Sequence, residues 1–412
     1  MNKLPAGWEI KKLKDICTIQ DGIHKTPKYT SKGIKFVSVE NINDLYNSNK
    51  FISEEDYNKM YKIKAKKNDI FMTRIGDIGT PAILNKDEKL AYYVTLCLFT
   101  NIDEEVFNKY LYYAIQSNYF KKELYYRTLH VAFPKKINLG DIGDCKFILP
   151  PLDEQKRIAS ALSKIDAYLE NTIKLIEEKE RFKRGIAKKL LTCKEGENIP
   201  EARFKGFEGE WEIVKLGDIG TITATGVDKK INDNETPIKL LNYLDVFNRN
   251  KLYEKEISYM TTATEKQLEK CNIRKGDLFI TPSSEDKKGI AKSSVAMEDF
   301  KNTVYSYHII RVRFNREIDL KFKSYMCDTD FFHRQAYRLC DGSGQRYFIK
   351  LDNFRNMEIC IPKSIKEQEK IGGYLSLLDK EIDNLKKQKE LIKEMKRGAM
   401  QKLLSGEVRL LE

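Results

Sequence analysis

The sequence predicts an α+β protein: two mixed α/β domains in tandem repeat, joined by two long antiparallel-packed coiled-coil helices with pseudo-two-fold symmetry. Three observations carry that expectation. Motifs near the start of the 412-residue chain return in the same order in its second half. Two proline-free segments, each of about 40 residues, step their apolar positions by four and three. The remainder consists of short apolar or alternating runs punctuated by Gly, Asn and Asp, the pattern of strands and turns. The expected boundaries are 1–151 for the first domain, 152–195 for a central helix, 196–362 for the second domain and 363–412 for a C-terminal helix.

Each domain opens on the same motif. Trp8-Glu9-Ile10 with Leu13 and Asp15-Ile16 returns as Trp211-Glu212-Ile213 with Leu216 and Asp218-Ile219, an offset of 203. Mid-domain, Lys67-Asn68-Asp69-Ile70-Phe71 returns as Lys275-Gly276-Asp277-Leu278-Phe279, offset by 208. Runs such as Ile34–Val39, Tyr305–Ile310 and Met357–Ile361 read as strands. Pro150 and Pro362 close the last strand of each domain. Glu154-Gln155 and Glu367-Gln368 then open the helices, and Lys189-Leu190-Leu191 matches Lys402-Leu403-Leu404 near their ends, both at 213.

In the central helix the apolar seam is Ile158, Leu162, Ile165 and Leu169, continued by Thr172 and Ile176. In the C-terminal helix it is Ile371, Leu375, Leu378 and Ile382, continued by Leu385. Forty helical residues make a rod of roughly 60 Å. Two equal helices most simply pack on each other; the alternative is that each covers only its own domain.

Composition and absent motifs exclude much chemistry. A net charge of +13, from 74 Lys+Arg against 61 Asp+Glu, favours a polyanionic partner. No apolar run approaches the roughly 20 residues of a membrane span, and the first residues form no secretory signal. Eight cysteines without a CxxC pair read as reduced, mostly buried thiols of a cytoplasmic protein. A phosphate-cradling loop needs Gly-Lys-Ser/Thr, and the chain has no Gly-Lys. The only Pro-Pro is Pro150-Pro151, outside any Asn/Asp-Pro-Pro-Tyr/Phe methylase motif. Cys327, His333 and Cys340 have no regular metal-ligand spacing. No catalytic residue and no metal site are expected. One loose pattern, Asp277, Glu285 and Lys287, matches the metal-binding core of Mg²⁺ nucleases, but the first repeat lacks it.

These motifs together, above all Leu149-Pro150-Pro151-Leu152-Asp153-Glu154-Gln155 entering a long helix, identify the family. Over nearly its full length the chain resembles the specificity (S, or HsdS) subunit of Type I restriction–modification systems. The second copy departs at Ile361-Pro362-Lys363-Ser364-Ile365, where one proline and the Asp are missing. The resemblance implies that each domain is a target recognition domain reading one half of a bipartite DNA sequence. It also implies that the helices set the spacer and dock two methylase (M) subunits. Double-stranded DNA, the methylases and, in systems that carry them, restriction (R) subunits would be the partners. No cofactor is expected in this chain; S-adenosylmethionine, ATP and Mg²⁺ would belong to the partners. The rival readings are a stand-alone Mg²⁺ nuclease and a bridging protein that does not bind DNA.

Base edges are read by Arg, Lys, Asn, Gln, Ser or Thr on loops, and phosphates by cations. After the Asp69 and Asp277 strands the candidates are Arg74, and Ser283, Ser284, Lys287 and Lys288. Before the final strands they are His130, Lys135 and Lys136, and Ser343, Gln345, Arg346 and Tyr347. The glycines around Ser343 would let the backbone approach DNA closely. His24, Lys25 and Lys28 form a third, weaker cluster.

Overall fold

Each half of the structure, a computed structural model that describes residues 4–194 and 197–410, opens on a strand, closes on a strand that pairs with it and runs on into a long helix. The expected domain boundary at 195–196 lies outside the described residues. The chain divides into two compact units, residues 1–173 with 387–412, and residues 174–386.

In the first unit the entry strand Glu9–Lys12 pairs antiparallel with the exit strand Lys146–Leu149, so the module is clasped where it begins and ends. Between them an antiparallel sheet runs in the order Thr18–Asp21, Leu96–Thr100, Ile70–Ile75, Asp77–Ile83. A mixed sheet places Ile34–Val37 between Phe51–Ile52 and Leu90–Tyr92. Strand Ile70–Ile75 is buried on both faces: Ile70 and Met72 join one core and Phe71 the other, as a period of two demands. The second unit keeps the clasp and the two-faced central strand, on sheets of five, three and three described strands. Glu212–Lys215 clasps Glu358–Ile361, and Leu278 and Ile280 face one core while Phe279 faces the other.

The repeated motifs now have physical reasons. Asp69 and Asp277 end tight turns; their carboxylates accept the N–H of Lys66 at 3.0 Å and of Arg274 at 2.8 Å. The residue before each has a positive φ, 73° at Asn68 and 84° at Gly276, which Asn and Gly tolerate best. Gln155 and Gln368 stitch the proline turn to the module, each donating to the proline carbonyl at 2.8 Å. Their side-chain oxygens accept the N–H of Phe107 at 2.8 Å and of Asp319 at 2.9 Å.

Glu154 and Glu367 are each buried against a tryptophan and an arginine. Trp8 Nε1 donates to Glu154 at 2.9 Å, and Arg409 grips the same carboxylate at 3.1 and 2.7 Å. In the second unit Trp211 donates to Glu367 at 3.3 Å, and Arg203 holds both oxygens at 2.7 and 2.8 Å. Burial pushes the Glu154 carboxyl up, but the bonds from Arg409 and Trp8 outweigh it and hold the group below its usual 4.5. A depressed folded value means stability that is present above pH 4.5 and lost as pH falls through the folded value. Glu154→Gln is therefore expected to destabilise the protein at neutral pH and to converge on the parent as acidification passes below 4.5 and through the folded value. Urea titrations of both proteins across that range test it; a gap that does not narrow would contradict the linkage.

The two long helices are Leu152–Leu191 and Ile365–Ser405, of 40 and 41 residues. Within each unit, the first part of one lies antiparallel to the second part of the other. In the first unit Asp166 meets Lys396 at 2.6 Å; in the second, Lys179 meets Glu381 at 2.8 Å and Lys183 meets Asp379. A polar cluster repeats beside each contact. Tyr113 bonds Ser163 and Asp166, which pairs with Lys396; Tyr325 bonds Ser376 and Asp379, which pairs with Lys183.

The expected seam has a second role. Ile158 and Leu162 are fully buried in the first module's core, together with Trp8, Leu13, Leu403 and Leu404. Ile371, Leu375 and Leu378 do the same in the second, and Ile382 is buried beyond them. Ile165 and Leu169 are half-buried. The opening turns of each helix are thus module core as well as helix–helix seam, so the two alternatives posed by the sequence both hold locally.

Candidate nucleic-acid interface

In the first unit, strand Ile70–Ile75 turns at Gly76, whose φ of 82° suits only glycine well, into Asp77–Ile83. Residues 129–136 rest against that turn. Gly76 N–H donates to the Lys135 carbonyl at 2.8 Å, Ile75 bridges to Lys136, and Leu129 N–H donates to the Lys136 carbonyl at 2.8 Å. The result is a short finger pinned at its base. His130, Lys135 and Lys136 are exposed on it, with His130 packed on the Tyr125 ring at 4.5 Å and bonded to the Tyr125 carbonyl at 2.9 Å.

Arg74 departs from expectation. It is buried, and its guanidinium donates to the carbonyls of Ile137 at 3.2 Å and Val94 at 3.0 Å, with Asp21 at 3.7 Å. Its donors tie the finger's exit to the sheet, and little of the side chain reaches solvent. A charged residue beside a turn reads as a surface group in sequence, and these carbonyl partners are distant in the chain. His24, Lys25 and Lys28 are exposed, His24 being paired with Asp21 at 2.7 Å.

The second unit builds the same feature from different residues. Asp341–Ser343 and Arg346–Phe348 form a hairpin, and Ser283–Ser284 pairs with its second strand. Ser343, Gln345 and Arg346 are exposed, and Arg346 donates to Ser283 Oγ at 3.0 Å. Lys287 lies 5.3 Å from the centre of the half-buried Tyr347 ring. The side chain of Lys288 lies outside the described residues. The glycines serve the hairpin itself: Gly344 takes a positive φ of 64° in the turn, and a Cβ on Gly342 would meet the Arg346 carbonyl at 2.2 Å.

A cleft of about 500 Å³ opens beside this hairpin, lined by Tyr243, Leu244, Ser284, His308, Gln345 and Arg346 among others. Burial, with Lys229 and Arg346 nearby, holds the His308 imidazole below its usual 6.5. A neutral ring offers one donor and one acceptor to a ligand. Burial also raises the Tyr243 hydroxyl above 10, so it stays protonated.

The nuclease pattern does not assemble. Asp277 is buried, its oxygens holding Arg313 at 2.8 and 2.6 Å, whereas Glu285 and Lys287 are exposed. Cys327 is buried, Cys340 donates to the Tyr337 carbonyl at 3.3 Å, and His333 lies 3.5 Å from Asp328. Among the described residues no group of three His, Cys, Asp or Glu side chains could hold a metal ion.

The family model described as the Type I restriction modification DNA specificity domain matches residues 5–178 and 208–394, most of both repeats. The chain belongs to this family. Similar specificity subunits come from Methanocaldococcus jannaschii. The MjaVIII specificity subunit is 26% identical over 64% of this chain and 62% of its own length. The putative MjaX subunit is 30% identical over 53% of this chain and 54% of its own length. The chain thus spans less than two thirds of these two relatives. The MjaIX subunit aligns over 100% of this chain and 96% of its own length at 23% identity.

Solved structures agree in fold. The S subunit of a Type I system from M. genitalium covers 98% of this chain and 97% of its own, with a TM-score of 0.57 at 16% identity. A chain from a study of complex assembly and conformational transition of the type I R-M system covers 99% and 100%, with a TM-score of 0.60 at 15% identity. As a specificity-domain protein the chain has two modules of one design, each presenting a pinned finger next to the loop that follows its buried Asp strand. Sequence reasoning singled out polar residues that lie on both fingers. It missed the apolar residues of the first, Tyr125, Tyr126, Val131 and Phe133, because apolar side chains read as core. It also missed Tyr243, Leu244 and His308, which reach the second finger from elsewhere in the chain.

Proposed function

We propose that this chain is the DNA-recognition subunit of a Type I restriction–modification complex, each module reading one half of a bipartite double-stranded target. The observation supporting it most directly is the recurrence of an exposed, polar or cationic finger at one place in both modules of a specificity-domain protein. Exposed Lys135 and Lys136 supply phosphate attraction, and Gln345 and Arg346 supply donors suited to purine edges. Chemistry belongs to partners. Two methylase subunits dock on the long helices, bringing S-adenosylmethionine; ATP and Mg²⁺ serve restriction subunits where these are present. The complex works in the cytoplasm, in keeping with the absence of any described helix long and apolar enough to cross a membrane. Native mass measurement of the co-expressed complex is expected to give two methylases per chain; a strict one-to-one complex would contradict the docking scheme.

Arg346 gives the sharpest test of readout. Held by Ser283, its guanidinium is oriented yet exposed. Arg346→Ala is expected to cost roughly 1–3 kcal/mol of specific binding and to relax one base of the second half-site. Methylated-base mapping decides it; equal weakening on every sequence would mark Arg346 as a phosphate contact.

A further inference from the structure

The two fingers differ in chemistry, and the difference is unexplained by folding. The second carries Ser343, Gln345 and Arg346 at its tip. The first carries Val131 and Phe133, with exposures of 99% and 104%, so neither side chain is used by the module's core. The finger is also held in place, by the backbone bonds of Leu129, Lys135 and Lys136 described above and by Ala132 N–H to the Leu129 carbonyl at 3.3 Å. A fully exposed Phe and Val, on a finger pinned at its base beside Lys135 and Lys136, combine an apolar tip with a phosphate-seeking base. In the DNA major groove the apolar feature that carries sequence is the thymine C5-methyl group.

We propose that the 129–136 finger reads thymine methyl groups in its half-site, with Phe133 and Val131 as the contacting side chains. This rests on the DNA-reading function proposed above. The two modules then divide the recognition code: apolar contact to thymine in one half-site, hydrogen bonds to purine edges in the other. The first half-site must contain A·T pairs.

The test uses the complex with its methylase subunits and duplexes bearing the mapped target, at one salt concentration. The first half-site is the half that changes when residues 1–150 are exchanged. Replacing its thymines singly by deoxyuridine, which lacks only the methyl, is expected to weaken binding roughly four-fold at a contacted position. Phe133→Ala and Val131→Ala are expected to weaken binding to the thymine duplex and to flatten the thymine–deoxyuridine difference. Phe133→Leu should retain part of it, and the second half-site should be unaffected.

Equal affinity for thymine and deoxyuridine duplexes, or a first half-site without A·T pairs, would overturn the proposal. So would a Phe133→Ala loss indifferent to the methyl group. Brightening of a stacking-sensitive base analogue would then identify Phe133 as a wedge between bases, and loss of a methylase subunit would identify a protein contact. A parent complex with no sequence-dependent DNA binding would remove the underlying function as well, a result distinct from all of these.

Discussion

Exchanging residues 1–150 for the matching segment of another family member is expected to replace one half of the methylated target and leave the other half intact. The reason lies in how the first module is closed. Its strands begin and end in the clasp between Glu9–Lys12 and Lys146–Leu149, so an exchange cut just beyond the clasp removes a complete set of strand pairs. The graft must still fit what it leaves behind. Trp8, Leu13 and Phe147 share a core with Ile158, Leu162, Leu403 and Leu404, and Trp8 bonds Glu154. A donor keeping the Trp and the apolar residues of the clasp should therefore fold on the resident helices. Mapping of methylated bases in cells carrying the exchanged chain checks the outcome. Changes in both halves of the motif would show that the modules do not read independently.

The largest stability effect is expected at Arg203. Glu367 is 1% exposed, and Arg203 makes a two-point ion pair with it. Arg203→Ala leaves the carboxylate buried with only the Trp211 N–H at 3.3 Å, and removing one partner of a buried pair costs about 3–5 kcal/mol. Arg203 is itself 16% exposed, so water entering its place should bring the cost towards the lower end, about 3 kcal/mol. Replacing Arg203, Glu367 and Trp211 together by apolar residues of similar volume should recover much of it, because no charge is then stranded. Urea midpoints of the single and triple variants test this; a single variant within about 0.5 kcal/mol of the parent would mean the pair is solvated.

Much of the fold was legible because it is written twice. The offsets exposed the clasp strands, the Lys-x-Asp turn and the Glu-Gln helix entry without any propensity argument. The same offset of 213 also relates Ser163 to Ser376, Asp166 to Asp379 and Lys183 to Lys396, the polar cluster that joins each module to the helix pair. Those matches went unread because Ser, Asp and Lys in a highly charged helix resemble solvated surface. Arg203 and Arg409 were hidden for another reason: each follows one long helix yet serves the Glu that opens the other. Around the first finger, polarity suggested exposure for Arg74, but the backbone carbonyls of Ile137 and Val94 captured it. Phe133, which no motif singled out, is apolar yet fully exposed.

The arginine that closes the first module also imposes an order on its birth. Arg409 and its partner Glu154 are separated by 255 residues, and the intervening stretch includes the whole of the second unit, 174–386. At 5–20 residues per second, a ribosome needs roughly 10–50 s to bridge that gap. For most of it, residues 4–173 have been made while Leu403, Leu404 and Arg409 do not yet exist, so the core around Trp8 stays open and Glu154 lacks the two bonds from Arg409. The second unit is contiguous in sequence and waits for nothing downstream. The module made first is therefore the one completed last, and on the nascent chain it is the first module whose apolar surface a chaperone would have to guard.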